Sequence, residues 1–517
     1  MLRYFSSFIL LMGVLLSGCK PTPRTAPEAR HPILPKTQEE ESTPTPASPS
    51  VLQTAHSILV VRATRQEYKQ LTPWEKHDAS TATTLGIYLG DERVLVPART
   101  VTAATYVEIS LPDGSQTVPA MVIKMDREMN LALLAPLHEK DATIFESSLP
   151  LSLADTLDQG EPATFSGLID GVKPTSIPLI TESIKGSTIP QFCLRAAHPL
   201  PAGHGSGAPI IQEGKLVALS TSYHENKQLI TAVDASFIAR FLSHEDKGLP
   251  LLGLQLSLID DPVFRHFLQL PEDVGGLYIS KIAPCSAAAQ AGIAQGDVLT
   301  QIESFPLDKQ GRCRHPRYGV LEAAILLRAL KPCGDVLNVS VYRNGTPISL
   351  QIPMNKDAEQ NAIFRKEEPG VQPRHIMWGG MLFQPITANY LSEMRQKTQD
   401  SLPLAYQELD SREAELRERG YTELTALALV IPTAATRGYE DVQHCVVEAV
   451  NGKPALNFSS FAALITEQAP SGRVRLDINK PPYTIYLDQD TIQTSNELLK
   501  RTSFPKLFHL PSQAEHS

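Results

Sequence analysis

At roughly 100 to 200 residues per domain, a chain of 517 residues predicts two to four domains. Hydrophobic residues make up 42% and charged residues 20%, so each domain can bury a core and a disordered polymer is excluded. The net charge of −9 excludes the broad Lys and Arg face that phosphate contacts require, so nucleic acid is not an expected partner.

The first element is an address. Arg3 precedes an apolar stretch from Phe5 to Leu16, too short to cross a hydrocarbon core of ~30 Å, so residues 1–19 read as a cleavable signal rather than a transmembrane helix. Its end, Leu16-Ser17-Gly18-Cys19, resembles the bacterial lipobox. That resemblance implies lipidation at Cys19 and a protein tethered to a membrane of the bacterial cell envelope, on its periplasmic side. Residues 20–50 carry Pro21, Pro23, Pro27, Pro32, Pro35, Pro44, Pro46 and Pro49 with no core-forming pattern, which predicts a semi-rigid spacer at ~3.1 Å per residue. Beyond Cys19 the cysteines are Cys193, Cys285, Cys313, Cys333 and Cys445. They contain no Cys-x-x-Cys pair, so neither zinc nor any cofactor is called for, and one bridge, between Cys313 and Cys333, stays open as the closest pair in sequence.

Residues 51–247 read as short strands at even intervals: Ser57 to Val61, Leu85 to Leu89, Tyr106 to Leu111, then Ala163 to Ser166, Pro209 to Ile211 and Leu216 to Leu219. Two six-stranded barrels fit this length. Three phrases then stand in a telling order: Val94-Leu95-Val96-Pro97-Ala98-Arg99-Thr100-Val101, Asp126 to Leu134 with Asn130-Leu131-Ala132-Leu133-Leu134, and Gly205-Ser206-Gly207-Ala208-Pro209-Ile210. Together they resemble the trypsin-like domain of the HtrA/Deg serine proteases. The resemblance implies a nucleophile position at Ser206, with Arg99 where that family has its histidine base and Asn130 where it has the orienting aspartate.

Those two replacements decide the chemistry. A serine hydroxyl needs an adjacent base, and a guanidinium, protonated in proteins, cannot accept its proton. Asn130 is neutral, so even a relocated imidazole would lack the carboxylate that fixes its tautomer and stabilises its charged form. His204 occupies the place of a glycine whose N–H serves the oxyanion hole, and a base-to-hydroxyl distance of ~2.6 to 3.2 Å is hard to reach from two residues away. His77 and His198 are further candidate bases without a motif of their own.

Residues 248–356 resemble a PDZ domain of the same family, on Leu251-Leu252-Gly253-Leu254, Gly275 to Ile279, Ala291 to Leu299 and the turn Tyr342-Arg343-Asn344-Gly345. The resemblance implies that Leu251, Leu252, Gly253 and Leu254 present backbone N–H groups to a peptide carboxylate. It also implies that Gln255 to Ile259 pairs with the peptide as an added strand and that a helix from Leu321 to Leu330 flanks the groove. After a polar joint at 356–372, residues 370–505 resemble the second PDZ-like domain of plant-type Deg proteases, on Trp378 to Thr387, Arg437 to Glu440 and Asn451-Gly452-Lys453-Pro454. Gln407 to Arg419 reads as a solvated helix.

The expected fold is therefore mainly β and multidomain: a trypsin-like double β-barrel followed by two α+β PDZ domains. The expected function is a lipid-anchored pseudoprotease in protein quality control, binding unfolded proteins or peptide C-termini and contacting the membrane through its anchor, with homo-oligomerisation left open. The alternative is an active serine endopeptidase using Ser206 with a non-standard base.

Overall fold

The computed structural model describes residues 54–510 apart from 158–161, 170–172, 187, 201–204, 244–246, 400, 410, 468–471, 503 and 505. Cys19, the expected signal, the expected spacer and His204 thus lie outside the described residues, which all belong to one compact unit, Ala47–Ser517.

Strands β1 (Ile58–Arg65), β2 (Ser80–Tyr88), β3 (Val94–Val96), β4 (Ala104–Ser110), β5 (Thr117–Asp126) and β6 (Leu131–Pro136) close a barrel in the order β1-β2-β3-β6-β5-β4. Alternation explains its interior, because Leu59, Val61 and Ala63 on β1 meet Val94, Val96, Val107 and Ile109 inside. A second barrel of β7 (Ala163–Ile169), β8 (Lys173–Lys185), β9 (Gln191–Ala196), β10 (Pro209–Gln212), β11 (Lys215–His224) and β12 (Leu229–Asp234) closes in the order β10-β11-β12-β9-β8-β7. A third core joins the two: Ile87, Leu95 and Leu133 of the first barrel pack with Leu216, Leu219 and Val233 of the second. The helix Ala235–Leu242 seals that seam with Phe237 and Phe241, each worth roughly 1.5–3 kcal/mol when buried. The double barrel is the fold class expected from the strand spacing.

The next unit is a sheet of β13 (Leu254–Ser257), β14 (Leu277–Ile282), β15 (Val298–Ile302), β19 (Val336–Arg343) and β20 (Thr346–Pro353), in that order, with β16 (Phe305–Pro306) beside β15 and a hairpin of β17 (Arg312–His315) and β18 (Gly319–Glu322). The β19–β20 turn falls on Asn344 and Gly345, both with positive φ, as a tight hairpin of right-handed twist demands. Asp297, buried, takes two bonds from Arg343, at 2.7 and 2.8 Å, and so ties the turn before β15 to the end of β19.

Three expectations in this region change. The pairing strand ends at Ser257 rather than Ile259, because Leu258 turns out to solvent while Ile259 turns into a small core with Leu270 and Val298. The flanking helix is Ala323–Ala329, since Leu321 and Glu322 are spent on β18 opposite Cys313 and Arg312. Cys313 is a free, buried thiol directed at the Leu321 carbonyl, so the bridge to Cys333 is not formed: its strand register points it into the sheet core.

The last unit is built on β21 (His375–Trp378), β22 (Met381–Pro385), β23 (Thr425–Val430), β24 (Cys445–Val450), β26 (Arg473–Ile478), β27 (Thr484–Asp488) and β28 (Phe508–His509), with β25 (Lys453–Pro454) beside β24. Its sheet carries a core on each face, which is why β21 and β22 are buried at every position and apolar apart from His375 and Gln384. Burying both faces also overturns one polar reading. Gln407 to Arg419 is not a solvated helix but parts of two short ones, Leu404–Gln407 and Glu413–Glu418, with Tyr406, Leu409 and Leu416 buried on the sheet. The polar joint sends Ile363 into the same core. Among the described residues no helix is long and apolar enough to cross a membrane.

Candidate functional site

Ser206 sits in the connection entering β10, between two glycines that packing requires. A Cβ on Gly205 would lie 2.1 Å from Tyr223 Cβ. One on Gly207, whose φ is +78°, would lie 1.9 Å from the Leu85 carbonyl oxygen. The loop is thus pressed between β2 of one barrel and β11 of the other. The Ser206 carbonyl accepts from Leu85 N–H at 3.2 Å and from the Thr84 hydroxyl at 2.9 Å, which hooks the barrels together. Ser206 Oγ, half-buried, donates to the Thr221 carbonyl at 3.4 Å. Its backbone N–H donates to no protein group among the described residues and is available to an oxyanion.

Arg99 lies on the short helix Ala98–Val101 that follows β3, exposed, its guanidinium without a hydrogen-bonding or ionic partner among the described residues. What the sequence did not reveal is how Asn130 holds it. Asp126 Oδ1 accepts from the N–H groups of Glu128 and Met129 at 2.9 and 2.8 Å, turning the chain so that Asn130 adopts a φ of +57°. Asn130 Oδ1 then accepts from Arg99 N–H at 2.9 Å, and its carbonyl accepts from Ala98 N–H at 3.1 Å. An amide oxygen can thus fasten the helix start as a carboxylate oxygen would. It cannot supply the negative charge. His77 and His198 are exposed, and neither ring bonds to Ser206. Among the described residues no group of three or more His, Cys, Asp or Glu side chains is placed to hold a metal ion.

The second candidate site is the loop before β13. Leu251 N–H is spent on the Asn355 carbonyl at 2.9 Å, and Leu252 is buried in the sheet core. The N–H groups of Leu252 and Gly253 donate to no protein group among the described residues, whereas both carbonyls are fixed, by Ala288 N–H at 3.1 Å and Ala283 N–H at 2.8 Å. Two unengaged donors on a pinned loop suit a carboxylate. Gly253 has a φ of +75°, and a Cβ there would lie 2.4 Å from Ser286 Cβ, so the domain's own packing demands the glycine whether or not a peptide approaches. Among the described residues β13 is an edge strand, paired with β14 alone. The Arg328 guanidinium, absent from the sequence reading, stands beside the loop, donating to the Pro250 carbonyl at 3.1 Å and to Glu128 at 2.7 Å. Glu128 belongs to the turn that sets Asn130, so one ion pair links the two candidate sites.

A third cluster joins the second barrel to this unit. Asp234, fully buried, accepts from Leu157 N–H at 3.0 Å, Ser236 Oγ at 2.6 Å, Thr156 Oγ1 at 3.2 Å and Tyr318 Oη at 3.2 Å, with Arg317 at 3.8 Å. Burial, and then the Asp234 charge, pushes the Tyr318 phenol up. Beside it lies a cavity of about 260 Å³, lined by Phe237, Arg240, His315, Tyr318, Leu326 and Leu330 among others. Burial first, and Arg317 second, holds His315 below the ordinary imidazole value.

Comparison with known proteins adds relatives to this geometry. The PDZ_3 family, a PDZ domain, matches residues 365–506. The chain is 21% identical over 425 residues to Protease Do-like 2, chloroplastic, of Arabidopsis thaliana, covering 79% of this chain and 68% of that protein. It is 21% identical over 483 residues to the Putative protease Do-like 12, mitochondrial, of the same plant, covering 86% of this chain and 85% of that protein. Among solved structures it is similar to an HtrA-type protease with a decapeptide, at 17% identity and a TM-score of 0.43, covering 59% of this chain and 97% of that one.

Proposed function

We propose that the chain, HtrA/Deg-like in its relatives and matching a PDZ family, is a pseudoprotease, lipid-anchored in a bacterial envelope, which binds peptides or unfolded proteins without cutting them. The observation that carries the reading is Arg99, with Asn130 fastened to its backbone. Acyl transfer needs a proton acceptor beside Ser206 Oγ, and the residue that stands in the place of the family's histidine is an exposed cation, while Ser206 Oγ bonds only the Thr221 carbonyl among the described residues. Without its base and orienting carboxylate, such a site keeps roughly the 10³ to 10⁴ over water that binding and an oxyanion hole supply. Peptide capture falls to the Leu251 to Leu254 loop and the open edge of β13, with the carboxylate on the N–H groups of Leu252 and Gly253. Anchoring falls to Cys19.

The purified mature protein incubated with unfolded casein tests it. The expected result is binding with no fragments above a heat-killed control. Degradation that disappears in Ser206→Ala would establish the endopeptidase instead, with a base other than Arg99.

A further inference from the structure

The loop between β1 and β2 leaves the first barrel and seats on the last unit, about 300 residues away in sequence. Glu393 accepts from two successive backbone N–H groups, those of Gln70 at 2.8 Å and Leu71 at 3.4 Å. Gln384 Nε2 donates to the Gln70 carbonyl at 2.8 Å and Gln372 Nε2 to the Pro73 carbonyl at 3.0 Å. Trp74 packs edge-on against Phe504, with ring centroids 4.7 Å apart, and stands 6.1 Å from the His375 ring, while Leu71 packs on the same core.

Gln384 is the telling residue. It is 2% exposed, in a strand whose other members are all apolar or proline, and its Oε1 has no hydrogen-bonding partner among the described residues. Burying a primary amide in a sheet core is costly unless it is bonded, and among the described residues the one bond its side chain makes is to this loop. The loop, for its part, closes on itself. Lys69 and Glu75 pair at 2.8 Å, Glu75 N–H donates to the Thr72 carbonyl at 2.8 Å, and Lys69 N–H donates to the Glu75 carbonyl at 3.0 Å. A segment that carries its own closing bonds loses less freedom on docking.

We propose that the last unit carries a peptide-recognition site, built on Glu393, Gln384 and Gln372, that reads a compact Gln-Leu-Thr-Pro-Trp turn and is filled by this chain's own Gln70 to Trp74. The site clamps backbone through side chains on the sheet and its helix Ala388–Lys397, so it differs from capture by an open strand edge and stands whether or not the protein cleaves peptides. Its ligand class is a turn with an aliphatic residue and, three positions on, a tryptophan. In the intact chain the loop acts as a latch between the first barrel and the last unit.

The test uses the full chain and a fluorescent synthetic peptide of residues 66–79. A tethered segment presents itself at an effective concentration on the order of millimolar, so a free peptide of micromolar affinity is largely shut out of the native chain. Leu71→Ala with Trp74→Ala should empty the site and tighten binding of the added peptide at least about tenfold over the native chain. Glu393→Ala in that background, at a partly exposed position and checked for an unchanged circular dichroism spectrum, should abolish the gain. Equal binding to native and latch-less chains, no binding to a folded latch-less chain, or a gain that survives Glu393→Ala would each overturn the proposal.

Discussion

Asp234→Ala is the substitution whose cost follows most directly from the structure. Its carboxylate is fully buried at the start of the helix Ala235–Leu242 and serves groups from both sides of a domain junction. Removing it strands Leu157 N–H, itself buried, at about 1–3 kcal/mol for an unsatisfied donor. It also removes charge-assisted bonds from Ser236 and Tyr318, each worth ~1.5–3 kcal/mol, although their hydroxyls, 3.3 Å apart, can turn to one another and recover part of it. After that recovery and relaxation around the site, the expected net loss is about 3–5 kcal/mol. A chain of several domains does not unfold in one step, so the readout is hydrogen exchange segment by segment under increasing urea. Protection should fall in β12, in the helix after it and in the β17–β18 hairpin that carries Tyr318. Tyr318→Phe should cost about 1 kcal/mol and couple to Asp234→Ala by ~0.5–3 kcal/mol in a double-mutant cycle. A loss under about 1 kcal/mol, or one that leaves the hairpin's exchange unchanged, would show that the carboxylate is not what joins the barrel to the next unit.

Arg99→His with Asn130→Asp, adding His204→Gly if required, should confer labelling of Ser206 by a fluorophosphonate; a folded, unlabelled triple variant would mean that the loop backbone, beyond its side chains, has left protease geometry. Cys19→Ser should move the protein out of the membrane fraction, and its retention there with normal processing would refute the lipid anchor. Peptides with apolar C-termini should bind the chain at roughly micromolar affinity, about −8 kcal/mol, and lose affinity on amidation or with Gly253→Val; indifference to amidation, read by titration, would remove the carboxylate from the mechanism. Burial holds His375, His444, His509 and His315 below the ordinary value, so the fold favours their neutral forms. Their contribution is complete above the unfolded value of about 6.5 and is lost as pH falls through the folded values, so urea midpoints should drop between about pH 6.5 and 5, before most carboxylates titrate; unchanged or rising midpoints would contradict it.

The barrels were legible because their signals are local. Leu59, Val61 and Ala63 alternate within one strand, and in the unit that follows the barrels Asn344-Gly345 likewise sets its turn with no help from afar. The identity of the candidate site was legible too, since Arg99, Asn130 and Ser206 stand in phrases with a fixed order. What escaped was every bond between distant segments: Asn130 Oδ1 on Arg99 N–H, Arg328 on Glu128, Asp234 beneath Tyr318, Gln384 beneath the β1–β2 loop. None has a period or a spacing. The weak trace that each leaves is a polar residue where an apolar one would suit the pattern, as Gln384 does inside Met381–Pro385 and Asp234 does at the end of Leu229–Asp234.

That trace also explains why the solvated-helix reading of 407–419 failed and why the polar joint at 356–372 hides a buried residue. Charge dominates both segments, and charge at a surface is cheap, so it says little about which few apolar residues are buried. Ile363, Tyr406, Leu409 and Leu416 are enough to fasten those segments to the sheet, on the face where Leu71 and Trp74 of the first barrel's loop also pack. The last unit therefore holds the chain at two places with opposite sequence signatures: apolar anchors scattered among charges, and a lone amide set among apolar residues. Removing one anchor leaves the others in contact and costs what its own burial was worth. Replacing Gln384 by leucine removes a buried amide that is already half unsatisfied, so it can leave the sheet as stable as before while releasing the loop, and stability alone would not report the loss.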